Sequence, residues 1–151
     1  MKEANKRKLL EIASYVLDFE VTLKIVSIQS FASGWANNQN ITINTDGILL
    51  NAFNWDKGCV ESYEDVGIEG FKTLAHEVRH VMQNKWNACL PQCDDYFDAN
   101  GKVIQELYEK DKGEEDANNY AERNIEWLKI RNPKMIKVFG RYIVWFNNHS
   151  I

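Results

Sequence analysis

The sequence predicts an α+β fold in which helices pack on a small sheet. Three observations predict it. Apolar residues recur at helical spacing in segments near the start, middle and end of the chain. A β-branched, alternating run lies between the first two of these segments. The resulting order, helix, strands, helix, helix, sets helices against a small sheet.

Leu9, Ile12, Ala13, Val16 and Phe19 form the stripe of an amphipathic helix spanning Lys2 to Phe19. Val21 to Ile28 alternates and is β-branched, as a strand is. Gly34 to Asn40 is turn-rich, and Ile41-Thr42-Ile43 reads as a second strand ended by Asp46-Gly47. Ile48 to Phe53 suits a short helix or a short strand, because periodicity does not arbitrate over so few residues. Asn54 to Glu64 reads as a loop. Phe71, Leu74, Ala75, Val78, Val81 and Met82 then form one apolar stripe, and no proline or glycine interrupts Phe71 to Trp86, so a continuous helix is expected there. Cys89 to Lys102 reads as a loop carrying Asp94-Asp95, Asp98 and Asn100-Gly101. Val103 to Tyr108 is expected to be helical. A further helix is expected from Gly113, with Ala117, Tyr120, Ala121, Ile125 and Leu128 as its apolar face. Asn132-Pro133 marks the start of a last helix, Asn as N-cap and Pro at N1, with Ile136, Phe139, Ile143 and Phe146 as its stripe.

Composition bounds the function. A chain of 151 residues is expected to form one domain, 1–151, large enough to bury a core without staples. Hydrophobic residues at 44% and charged residues at 26% are those of an ordinary soluble globular protein. A net charge of −4 and a pI near 5.4 argue against nucleic acid and anionic membrane as partners. The lysines between Lys2 and Lys8 are followed at once by acids and read as a solvated helix face. No apolar run with a cleavage site follows them, and no stretch reaches transmembrane length, so a cytoplasmic protein is expected. Three cysteines, Cys59, Cys89 and Cys93, do not make a secreted disulfide framework. Cys89-Leu90-Pro91-Gln92-Cys93 lacks a second pair and reads as incidental cysteines in a proline-bearing loop.

The chemistry is concentrated in His76-Glu77-Val78-Arg79-His80. HExxH on a helix stacks two imidazoles one turn apart on one face. That spacing lets both rings hold one Zn2+ ion at about 2.0–2.1 Å. The intervening Glu77 then lies beside the open coordination position, where a bound water needs a base. Two of only three histidines fall at this spacing, off the apolar stripe and on a face shared with Thr73 and Gln83.

A catalytic zinc needs a third protein ligand. No HExxHxxGxxH continuation follows His80, and His149 lies in a polar C-terminal segment expected to fray. Downstream, Glu114 shares the apolar face of its helix with Ala117, Asn118 and Ala121. Glu115 aligns instead with Asn119, Glu122 and Glu126 on a polar face. A carboxylate turned toward a core is costly unless paired or metal-bound. Glu114 is therefore the expected third ligand, Glu115 the fallback, with His149 or Asp116 next.

His-Glu-x-x-His followed by Glu-x-x-Ala-Asn-x-Tyr-Ala on a later helix resembles the gluzincin metallopeptidases. It looks most like the small intracellular ImmA/IrrE-like group of bacteria and phages, over Phe31 to Trp127. The resemblance implies a minimal zincin fold: a small sheet packed against an N-terminal helix, an HExxH helix, a glutamate-bearing helix and a C-terminal helix. It implies Zn2+ bound by His76, His80 and Glu114, with Glu77 as general base and Asn118 supporting a metal histidine. Gly34-Trp35-Ala36 and Ile41 to Asn44 resemble the strand region preceding the active-site helix. The implied substrate is a specific intracellular protein or peptide, such as a repressor or antitoxin. No histidine lies where larger thermolysin-like enzymes place their transition-state donor, which leaves Tyr108, Tyr120, Arg141 and His149 as candidates, none singled out by spacing. A second reading is a zinc-binding or zinc-sensing interaction protein without turnover. A fourth ligand from Cys89 or Cys93 would favour that reading, because structural zinc is normally closed by four protein ligands.

Overall fold

A computed structural model describes residues 2–13, 21–52, 62–86 and 105–149. Among these the chain runs α1 (Lys2–Ala13), β1 (Thr22–Val26), β2 (Gly34–Asn37), β3 (Asn40–Asn44), α2 (Thr45–Asn51), α3 (Ser62–Trp86), α4 (Gln105–Arg131) and α5 (Pro133–Asn148). The fold is α+β, five helices with a three-stranded mixed sheet. Val16 and Phe19, the three cysteines and the loop expected over 89–102 lie outside the described residues.

The sheet has the order β1-β3-β2. β1 runs parallel to β3, from Thr22 opposite Asn40 to Val26 opposite Asn44. β2 runs antiparallel to β3, from Gly34 opposite Ile43 to Asn37 opposite Asn40. Ile41 and Ile43 of the central strand and Ile25 of β1 are buried, as alternation requires of one covered face. β2 corrects the expectation of a turn over Gly34 to Asn40. Only Asn38 and Gln39 turn, and Asn38 takes the left-handed backbone (φ 56°) that asparagine tolerates in a two-residue hairpin. Short and glycine-led, β2 has only Trp35 as a strand-favouring residue; its pairing with β3 and its packing on α3 make it a strand.

The ambiguous segment after β3 is helical and begins at Thr45, so Asp46-Gly47 sits in its first turn rather than ending the strand. Asp46 suits the positive end of that helix. Asn44 does not cap it. Its buried amide instead donates to the carbonyls of Ile28 (3.1 Å) and Ala32 (3.0 Å) and accepts from the Ile28 N–H (2.9 Å), which ties down the 28–32 segment.

α3 begins at Ser62, inside the stretch expected to be loop and nine positions before Phe71. Glycines at 67 and 70 lower helix propensity, so the sequence hides this start. The gain is tertiary. A Cβ at Gly67 would overlap the Ile136 carbonyl, and one at Gly140 would overlap the Tyr63 carbonyl, so α3 and α5 cross backbone to backbone. Beside the crossing, Phe71 and Phe139 pack with tilted rings, centroids 4.3 Å apart, and Val66, Leu74, Ile136 and Ile143 complete a buried apolar core. α1, expected against the sheet, packs chiefly on α5. α4 is one helix from Gln105 and contains Gly113 in its interior, where a separate start was expected. α5 has Pro133 in its first turn and Asn132 at the N-cap, without a side-chain cap bond. Among the described residues no helix is long and apolar enough to cross a membrane.

Candidate metal centre

The α3 stripe of Leu74, Ala75, Val78 and Val81 is buried, and its phase turns His76 and His80 toward α4. The two imidazoles meet edge to face, centroids 4.6 Å apart, with their Nε2 atoms 3.0 Å apart. Glu114 on α4 completes the triangle. Its Oε2 lies 3.1 Å from His76 Nε2 and its Oε1 3.0 Å from His80 Nε2. Ligand atoms around a tetrahedral ion with bonds of about 2.0–2.1 Å are about 3.3 Å apart. The three measured separations are close to that edge, so the donor set fits a small divalent cation.

Glu77 is buried beside the rings, with Oε1 4.0 Å from His76 Nε2. His76, Glu77 and His80 each bring one ligand atom within 4.8 Å of the others, a group that could hold a metal ion. Of the two carboxylates Glu114 stands closer, touching both nitrogens, whereas Glu77 is one step back. Burial pushes the His76 pKa down, and the neighbouring His80 adds to this against the opposing pull of Glu114 and a hydrogen bond with Asn118. The ring is thereby held neutral, as a ligand must be. Burial pushes the Glu77 carboxyl up, Glu114 adds to the rise and His80 opposes it. A carboxylate made more basic in this way is a better proton acceptor at neutral pH.

Of the remaining expected residues, Glu115 is exposed and pairs with Lys112 at 3.4 Å. Asp116 is bound to Arg79, Nε to Oδ2 at 2.7 Å. His149 stacks on Trp145, centroids 4.2 Å apart, and its Nδ1 bonds the Trp145 carbonyl at 2.8 Å. Tyr120 lies under the Arg79 guanidinium, 5.2 Å from the ring centre. Arg141 is exposed on α5, and the Tyr108 side chain lies outside the described residues. Gln83, Arg79 and Asp116 were not singled out for any joint role by sequence reasoning. Only Gln83's place on the histidine face hinted at one.

A cleft of about 310 Å³ opens beside His76 and Glu77, between the start of β2, α3 and α4. Gly34 edges it because a Cβ there would stand 2.6 Å from Thr73 Cγ2, so only glycine lets β2 lie against α3. Glu69 and Lys72 line the α3 wall, and Lys72 is paired with Glu122 of α4 at 2.7 Å. No protein-family model matches the chain, and neither a curated protein nor a solved structure matches it.

Proposed function

We propose that this chain is a zinc-dependent metallopeptidase of minimal, gluzincin-like type that acts on a specific intracellular protein. The observation that carries the reading is the convergence of His76 Nε2, His80 Nε2 and the Glu114 carboxylate at 3.0–3.1 Å, with the basic Glu77 buried alongside. His76, His80 and Glu114 would hold the Zn2+ ion. When bound, zinc acts as a Lewis acid that brings a water pKa down to about 7 and polarises a carbonyl. Glu77 accepts the proton of the attacking water and returns it to the leaving amine. β2 is an edge strand whose Gly34 borders the cleft, so an extended peptide could pair with it and enter the cleft beside His76 and Glu77.

Glu77→Gln tests the mechanism. The amide keeps the side chain's volume but does not accept the proton. Zinc content should stay at one per chain, while cleavage of any substrate found by comparing cellular proteins with and without the active chain falls about 10²–10⁴-fold. Unchanged cleavage would end the peptidase reading, and loss of zinc would make Glu77 a ligand.

A metal-binding interaction protein without turnover is the second reading. It is favoured by the lining of the cleft, which among the described residues includes neither Tyr120 nor His149 as a donor for an oxyanion. An intact metal site with no Glu77-dependent cleavage would decide for it.

A further inference from the structure

We propose that Gln83 is a positioning residue that fixes two ligands of the centre with one side chain: it sets the tautomer of His80 and holds the helix that carries Glu114. The inference rests on the metal-centre reading above and adds how this chain assembles that centre.

The Gln83 amide has one orientation that satisfies its neighbours. Gln83 Nε2 lies 3.0 Å from the Gly113 carbonyl and 2.8 Å from Asp116 Oδ2, both acceptors only. The opposite amide orientation would set oxygen against oxygen at both places, so the network assigns Nε2 as donor to both. Oε1 then faces His80 Nδ1 at 3.0 Å. An amide oxygen only accepts, so His80 carries its proton on Nδ1. Its Nε2 is left as a lone pair, aimed between His76 Nε2 and the Glu114 carboxylate. An imidazole in the other tautomer would put a proton where the metal belongs.

The same side chain reads α4. Gly113 and Asp116 bracket Glu114, one residue before it and two after. Asp116 is locked in turn by Arg79, through Nε to Oδ2 at 2.7 Å and Nη2 to Oδ1 at 3.3 Å. Arg79 and Gln83 stand one residue before and three after His80 on α3, so both anchors share the helix that bears the histidines. α4 meets α3 here through Ala117 and Ala121, whose small buried side chains allow close approach but offer little to fix rotation. A rotation by one residue, about 100° in an α-helix, would present Glu115 in place of Glu114. The Gln83–Asp116–Arg79 bonds oppose that rotation. Gly113 fits the device, since a Cβ there would press on Gln83 Oε1 at 3.3 Å.

The test uses the full chain, first stripped of metal and then titrated with Zn2+ against a competing chelator. Two-bond 1H–15N correlation spectra of the histidine rings, taken with the rings neutral, report the tautomer directly. Wild type should show His80 protonated on Nδ1. Gln83→Leu should lose that preference and weaken zinc about 10–100-fold, as loss of a ligand's hydrogen-bond partner does. Gln83→Glu restores an acceptor for Nδ1 but removes the donors to α4. It should therefore recover the tautomer and not the full affinity, a separation that a merely structural role would not produce. Should Gln83→Leu fail to fold, Gln83→Glu and Gly113→Ala carry the same comparison. Wild-type His80 protonated on Nε2, or a Gln83→Leu affinity within twofold of wild type, overturns the assignment of Gln83 alone. A wild-type chain with the expected tautomer and no zinc binding overturns the metal centre itself, and the positioning role with it.

Discussion

Glu69 is costly where it stands. It lines the cleft half-buried, and burial raises its carboxyl pKa, with Lys72 and a long hydrogen bond from Ser33 (3.4 Å) only partly opposing the rise. A carboxyl whose folded-state pKa is raised binds its proton more tightly when folded, so stability is lost as pH climbs from the ordinary value through the folded one. Glu69→Gln should therefore melt higher than wild type at pH 7, and the gap should close below the ordinary value of 4.5. A gap that persists at pH 3 would mean that packing, not charge, sets the effect. A destabilising acid facing the cleft is the kind of residue retained for binding rather than for folding. Glu114 and Glu115 make the second contrast at this scale. Glu114→Ala should weaken zinc sharply, because its carboxylate touches both Nε2 atoms. Glu115→Ala, exposed and paired only with a lysine in its own helix, should change it by less than about twofold, since such pairs are worth about 0.3–0.5 kcal/mol. The reverse result would shift the ligand by one position. Helical phase separated Glu114 from Glu115 on their own helix, because i, i+3 and i+4 relations are local, but the expected core-turned carboxylate is half-exposed (49%), and its approach to the histidines depends on how α4 lies on α3. The engagement of Asp116 by Arg79 was not, since it spans 37 positions and depends on how two helices are rotated against each other.

At the scale of elements, the joint between α3 and α5 carries the frame. Gly67 and Gly140 let the two backbones touch, and a methyl at 140 has only carbonyl oxygen and backbone nitrogen to meet. Gly140→Ala should destabilise the chain by about 1–3 kcal/mol or more, the cost of overpacking where no flexible side chain can yield. Urea unfolding would read it, and an unchanged midpoint would show that the helices can slide apart freely. The same glycines explain what sequence reading could not see. Apolar stripes at 71–82 and 136–146 announced both helices, but glycine at 67 and 70 argued for a later start to α3, since propensity counts the backbone entropy and not the crossing it permits. β2 was visible only through the family resemblance at Gly34-Trp35-Ala36 and not in the local pattern, for a related reason. Its four residues are Gly34-Trp35-Ala36-Asn37, and only pairing and the contact with α3 specify them as a strand. The strands around Ile25 and Ile41–Ile43 were plain because β-branched alternation is written locally.

For the molecule as a whole, the proposed metal site and the core would be separate sources of order. α3, α5 and the sheet are joined by large buried side chains, Phe71, Phe139, Ile41, Ile43 and Ile143 among them. Near the centre α4 is joined to α3 by the Gln83–Asp116–Arg79 bonds, by Tyr120 under Arg79, by the Lys72–Glu122 pair and by the approach of Glu114 to the histidines, with small alanines buried between; farther along Ile125 and Leu128 anchor it in the core. Removing metal should therefore loosen one part of the fold and not dissolve it. A ligand bound only by the native state adds RT ln(1 + [L]/Kd), about 4 kcal/mol at a thousandfold excess over Kd. Wild-type melting should fall by a corresponding shift on chelation, and Glu114→Ala should lose most of that shift. Hydrogen exchange should then locate the change. Amides around 112–121 should lose protection when zinc is withdrawn, while those of α5 and the adjoining half of α3 keep theirs, because local opening follows the weakest packing. If protection instead fell evenly along the chain, metal would be holding the whole fold. If chelation changed neither melting nor exchange, the α4 register would depend on Gln83 and Arg79 without help from an ion.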